Sequence, residues 1–133
     1  MRVIAGRAGG VRLVSPKNGV RPTMDRVKAA IFSSLGELVI GARVLDLFAG
    51  TGALGIEALS RGADSALFVE EDRQSITAIE KNLAKTGFAG RVRQQDVFKF
   101  LRTQARPLRS SKLSLPIRLT IRRNPERDSP KNF

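Results

Sequence analysis

Arg43-Val44-Leu45-Asp46-Leu47-Phe48-Ala49-Gly50-Thr51-Gly52-Ala53-Leu54-Gly55 packs a strand, a turn and the start of a helix into one short stretch. Arg43 to Phe48 is a brief apolar run of the kind found in a buried strand. The following Gly50-x-Gly52-x-x-Gly55 formally matches the dinucleotide fingerprint, with an acid, Glu70, about 20 residues on. Glycines allow the strand-to-helix turn a positive φ and let backbone N–H groups approach a ligand closely. The same pattern also serves as a plain tight turn in any α/β unit.

Working outward, the helix begun at Ala53 runs through Ser60 and stops at Gly62. Ser65 to Glu70 is predicted as a second strand. Arg73 to Thr86 is a helix closed by Gly87, with Ile76, Ile79, Leu83 and Ala84 near helical spacing. Arg91 to Gln95 is a third strand, and Val97 to Leu101 begins another helix. Upstream, Met1–Ala5 and Val11–Ser15 form a small hairpin around Gly9-Gly10. Arg21-Pro22-Thr23 opens a helix that Thr23 caps and Asp25 favours electrostatically, and Gly36 ends it. Val27, Ala30, Ile31 and Leu35 fall on one face of that helix, and all these apolar stripes read as core. Strand and helix alternate, which predicts an α/β chain with a parallel, Rossmann-like sheet.

The chain has 133 residues, room for one domain, with 24 Lys+Arg against 12 Asp+Glu and a net charge of +12. That balance points to a polyanionic partner such as nucleic acid. Cys and His are both absent, which removes disulfides, thiolate or imidazole metal sites, and His general bases. No apolar run approaches the ~18 residues of a membrane span, and Met1 to Gly10 has no signal core. The expectation is a soluble, cytoplasmic monomer without a metal. Charge is uneven: residues 1–103 hold 16 basic and 10 acidic residues, residues 104–133 hold 8 and 2. The tail also carries four of the six prolines and none of the twelve glycines, a compositional break near Thr103.

Asp46 bears on the ligand. It stands at the carboxyl end of the first strand, where ligands of such sheets bind. A pyrophosphate there would face a carboxylate with no compensating cation in the motif. S-adenosylmethionine carries no phosphate, and its ammonium and sulfonium favour an acid. Glu70, ending the second strand, can accept from both ribose hydroxyls. Asp96, ending the third, can reach the adenine amino group. Any one of these acids alone reads equally well as a solvated loop carboxylate, whereas three in register point to a site.

Residues 1–103 resemble the RsmD-type 16S rRNA (guanine-N2)-methyltransferases. The resemblance rests on RVIAG (2–6), RPTMDRVKAAIFSSL (21–35), VLDLFAGTGALGIEALSRGA (44–63), FVEEDR (68–73) and QQDVFKFL (94–101). It implies a class I S-adenosylmethionine-dependent methyltransferase fold, methylating the exocyclic amine of a guanine in 16S rRNA or an assembling small ribosomal subunit. It also implies that Asp46, Phe48, Ala49, Gly50 and Gly52 line the methionine part, that Glu70 holds the ribose, and that Asp96 lies at the adenine. Thr23 would close over the methionine end. Arg2, Arg7, Arg12, Arg21 and Arg26 could contact RNA phosphates, although each taken singly reads as a solvated charge. On this reading residues 1–40 are an N-terminal extension and residues 41–103 the first half of the methyltransferase domain.

The family's catalytic motif, (Asp/Asn)-Pro-Pro-(Tyr/Phe) after the fourth strand, occurs nowhere in the chain, so no catalytic residue is identifiable. In that motif the polar side chain and a proline carbonyl take the amine's hydrogens while the aromatic stacks on the extruded base. Its expected position lies in the tail, at Leu113 to Arg122. Suitable synonymous codons for Ser114 to Arg122 spell Phe-Ala-Asp-Pro-Pro-Tyr-Asp-Lys when read from the third base. Residues 104–133 are therefore expected to be an out-of-frame product of a frameshift between about Thr103 and Ser114. The alternative is a genuine basic RNA-binding tail. With about three strands before the break and the C-terminal strands missing, an exposed edge and an uncovered face are expected. Two other functions compete: a non-catalytic RNA-binding protein, and a nicotinamide-dependent oxidoreductase.

Overall fold

The computed structural model describes residues 1–15, 25–47, 49–104 and 118–121. The elements are α1 (Asp25–Leu35), a 3-10 turn (Gly36–Val39), β1 (Arg43–Leu47), α2 (Ala53–Ser60), β2 (Ser65–Glu70), α3 (Arg73–Thr86), β3 (Arg91–Gln94), α4 (Val97–Gln104) and β4 (Arg118–Ile121). The four strands form one sheet in the order β3-β2-β1-β4, and all three strand pairs are parallel. This is the Rossmann-like α/β arrangement that the alternation predicts. The expected helix start at Arg21-Pro22-Thr23, with its Thr23 cap, lies outside the described residues, as does Phe48.

Alternation along the strands divides the core. Val44, Ala66 and Phe68 face α2, α3 and the N-terminal segment, where Phe32, Ile56, Ile79 and Leu83 complete a single cluster. Leu47 and Val69 face the other way, against Val97 and Phe100 of α4, with Leu45 and Leu67 only partly covered. Every residue of α2 is buried, as expected of a helix enclosed on all sides.

The hairpin forms as expected. Val3 N–H donates to Val11 at 2.9 Å and Leu13 N–H to Met1 at 2.9 Å, around an antiparallel Arg2–Arg12 bridge. Val3 and Leu13 point inward, and Arg2 and Arg12 outward. The hairpin is tied to α2 by polar contacts: Ser60 Oγ accepts from Ala8 N–H at 2.9 Å and donates to Ala5 O at 2.6 Å. Glu57 accepts from Ile4 and Ala5 N–H at 2.9 and 3.1 Å.

Two expectations need correction. On α1, Val27 is 44% exposed and Ala30 is exposed, while Lys28 and Phe32 are the buried residues. The inward face is rotated because Lys28 meets a buried acid, Glu57, 3.3 Å away. On α3, Ala84 is exposed and Ile76 half-buried, and the inward stripe is Ser75, Ala78, Ile79, Asn82 and Leu83. Three strands precede the compositional break, as expected, and residues 118–121 of the tail pair in parallel with β1, Arg43 opposite Arg118 through Asp46 opposite Ile121, so among the described residues the sheet has four strands with β1 interior. No helix among the described residues is long and apolar enough to cross a membrane.

Candidate functional site

β1 and β2 run side by side with Asp46 opposite Phe68 and Leu47 opposite Val69. Residues 46, 68 and 70 therefore share the α2 face, and two carboxylates stand together at the carboxyl edge of the sheet. Asp46 is 2% and Glu70 3% exposed. Asp46 Oδ2 accepts from Gly55 N–H at 3.0 Å, in the first turn of α2. Glu70 Oε1 accepts from Gly50 N–H at 2.9 Å, and its Oε2 from Asp72 N–H at 3.0 Å. Both acids thus hold backbone amides on either side of the glycine turn. Anionic acceptors make such bonds stronger than neutral ones.

The turn needs its glycines. Gly50 (φ 61°) and Gly52 (φ 79°) lie in the left-handed region, the latter capping α2. Gly55 is required for space instead: a Cβ there would lie 2.3 Å from Phe68 Cε1. Ala49, Gly50 and Gly52 are all buried. Residues 44–60 contain no Lys or Arg, so this edge offers negative charge without a cation of its own segment.

Asp96 lies at the end of β3, where Gln95 N–H bonds to Glu70 O at 3.1 Å and ties the two strand ends together. Its Oδ1 accepts from Phe98 and Lys99 N–H at 2.7 and 3.1 Å, capping α4. That capping role is not legible in the strand-end reading. Thr23, Phe48 and Arg21 lie outside the described residues. Arg2, Arg7, Arg12 and Arg26 are exposed on the hairpin and α1. Arg2 is 3.7 Å from Asp25, and the Arg7 guanidinium lies 5.4 Å from the Phe88 ring centre. A groove of about 860 Å³ sits at the opposite, amino end of the strands, lined by Arg43, Asp64, Arg91 and Arg93 among others, and includes none of the three acids.

Three polar residues near the turn escape a reading of apolar spacing: Lys28, Glu57 and Asn82, each 0% exposed. The signal for Asn82 is positional, since it falls between Ile79 and Leu83 on the stripe that faces the core.

Residues 1–112 match the family described as conserved hypothetical protein 95. Ribosomal RNA small subunit methyltransferase D of Escherichia coli (strain K12) is 43% identical over 110 residues, 80% of this chain and 55% of that protein. Bacillus subtilis YlbH is 48% identical over 84 residues, 62% of this chain and 46% of that protein. This chain thus spans about half the length of the curated relatives it matches. Among solved structures, a hypothetical protein of Thermus thermophilus superposes with a TM-score of 0.69 at 38% identity, covering 77% of this chain and 60% of that one.

Proposed function

Because this chain belongs to the RsmD family, matched as conserved hypothetical protein 95, we propose that it carries the cofactor-binding half of an S-adenosylmethionine-dependent methyltransferase. The target on this reading is the exocyclic N2 of a guanine in 16S rRNA, naked or in an assembling small subunit, reached by a monomer in the cytoplasm. One observation carries the cofactor part: two buried carboxylates, Asp46 and Glu70, flank a left-handed glycine turn on adjacent parallel strands.

The donor set fits this cofactor. Its ammonium and sulfonium suit an edge with two carboxylates and no cation in residues 44–60. Glu70, ending β2 beside the glycine turn, would hold the ribose on this reading. Asp96, two residues past the end of β3, would take the adenine side on this reading. The cofactor supplies an electrophilic methyl group, and the residues of this chain bind and orient it. Isothermal titration with S-adenosylmethionine and with NAD tests the reading. The first binds and the second does not, and Glu70→Ala weakens the first by about 10- to 150-fold, the worth of charge-assisted hydrogen bonds. Preferential NAD binding would instead favour the oxidoreductase.

Methyl transfer is a separate matter. The Asp/Asn-Pro-Pro-Tyr/Phe motif is missing, and after β4 the sequence reads Arg122-Arg123-Asn124-Pro125-Glu126, with one proline and no aromatic. We propose that this chain binds the cofactor without completing transfer to guanine, because residues 104–133 derive from a shifted frame. DNA sequencing across codons 102–124 is expected to spell Asp-Pro-Pro-Tyr in a neighbouring frame. Its absence from every frame would make the tail genuine. RNA contact is favoured by Arg2 and Arg12, which stand opposite each other on the outer face of the hairpin. Affinity through them falls with salt.

A further inference from the structure

Asn82 joins two segments that are remote in sequence. Its Oδ1 accepts from Val14 N–H at 2.7 Å, and its Nδ2 donates to Val14 O at 2.9 Å. The second Nδ2 hydrogen goes to Thr51 O, also at 2.9 Å. Both amide hydrogens are committed, one to the outgoing strand of the hairpin and one to the glycine turn. The amide is planar and 0% exposed, so neither bond can be exchanged for water without opening the core. Thr51 O belongs to the peptide between Thr51 and Gly52, and Gly50 and Gly52 on either side are both left-handed. Holding that carbonyl therefore fixes the peptide plane on which the turn depends. A second contact runs the same way: Thr51 Oγ1 lies 3.8 Å from Met1 Sδ, while accepting from Ala53 N–H at 3.2 Å.

We infer that Asn82 is a positioning residue that couples docking of the N-terminal hairpin to the conformation of the glycine turn. The hairpin and the turn are then linked sites: loosening either loosens the other by the same factor. That this linkage reaches the cofactor rests on the cofactor reading proposed above; the mechanical linkage does not.

The test uses the full chain and a perturbation at the far end of the hairpin. Gly6 has φ +88°, and a Cβ there would lie 2.0 Å from Ser60 O, so Gly6→Ala undocks the hairpin from α2 without touching Asn82 or the turn. Amide hydrogen exchange is measured without cofactor in the parent chain, Asn82→Ala, Gly6→Ala and the double variant. Each single variant is expected to speed exchange at Gly50, Gly52 and Gly55 about tenfold or more. The double variant is expected to add little, the non-additivity that marks shared machinery. Exchange at Ile79, in the body of α3, serves as the control and stays slow.

Faster exchange in the hairpin with unchanged turn amides in Gly6→Ala overturns the coupling, as do strictly additive effects. Should Asn82→Ala unfold the chain, Gly6→Ala still decides alone. Asn82→Asp provides a second variant, keeping an acceptor for Val14 N–H and losing both donated bonds, to Val14 O and to Thr51 O, so it too is expected to speed exchange at the turn amides. In a parallel titration, S-adenosylmethionine affinity is expected to fall about tenfold in each single variant and no further in the double. A parent chain that binds no S-adenosylmethionine yet retains the exchange coupling counts against the cofactor reading alone. Unchanged affinity in both single variants of a parent that binds overturns the extension of the linkage to the cofactor, while the exchange data decide the mechanical coupling itself.

Discussion

Glu57→Ala is expected to destabilise the chain by about 3–5 kcal/mol, the cost of breaking a buried ion pair from one side. Glu57 is 0% exposed on α2 and serves four donors at once. Arg61 Nε approaches to 2.8 Å, Lys28 Nζ to 3.3 Å, and the Ile4 and Ala5 amides to 2.9 and 3.1 Å. Removing the carboxylate leaves the buried Lys28 ammonium, among the described residues, with Arg2 O at 2.6 Å as its partner, and leaves two hairpin amides without their acceptor. A domain of this size commands only ~5–15 kcal/mol in all, so the loss consumes much of its stability.

The order of related variants follows from the same contacts. Lys28→Met should cost less than Glu57→Ala, because Glu57 keeps Arg61, whose side chain is 23% exposed and partly solvated. Lys28→Met combined with Glu57→Leu should recover part of the loss, since it leaves no buried ammonium and the Arg61 guanidinium that loses its carboxylate is partly solvated. It should not recover all of it, because the Ile4 and Ala5 amides stay unpaired. Urea unfolding midpoints and slopes of the four proteins measure this directly. A shift below ~1 kcal/mol for Glu57→Ala would mean that the hairpin is not anchored through this residue.

Gly55→Ala is the second large effect, and its sign is diagnostic. Inside a helix, Gly→Ala ordinarily stabilises by roughly 0.5–1 kcal/mol. Here the new Cβ would meet Phe68 Cε1 at 2.3 Å, Phe68 Cζ at 2.8 Å and Asp46 Oδ2 at 3.2 Å. Phe68 is 0% exposed in the interior of the sheet, so its ring has nowhere to turn. Overpacking of this kind costs about 1–3 kcal/mol. Relief requires α2 to move off the sheet, which draws Gly55 N–H away from Asp46. The expected result is a lower thermal midpoint together with lost S-adenosylmethionine binding. Phe68→Leu in the Gly55→Ala background should restore both in part. A stabilised Gly55→Ala protein would overturn this account of the turn.

Where signals were local, the sequence reading was close to the structure. β2 and α3 have the expected limits, Ser65–Glu70 and Arg73–Thr86, because turn residues and caps bracket them. The Asp72 side chain accepts from Ser75 N–H at the start of α3, and Gly87 closes its end. β3 ends one residue earlier than expected, where its pairing with β2 stops. The positions of the three acids were legible only approximately: Glu70 ends β2, Asp46 is the penultimate residue of β1, and Asp96 stands two residues past β3, where it caps α4.

The local signals of this chain, its glycine spacing, strand-helix alternation and acids at strand ends, determined an α/β unit with a charged edge and a glycine turn. Tertiary structure alone decided which charges go inside and what they hold. Lys28 looks like a solvent residue until Glu57 of another helix is placed 3.3 Å away. Asn82 looks like a flaw in an apolar stripe until Val14 and Thr51 meet it from 68 and 31 residues off. The strand at Arg118–Ile121 likewise depends on a partner, Arg43–Asp46, far upstream. A buried polar group is tolerable only when its hydrogen bonds are met, and the partners that meet them are brought close by the fold and not by sequence spacing.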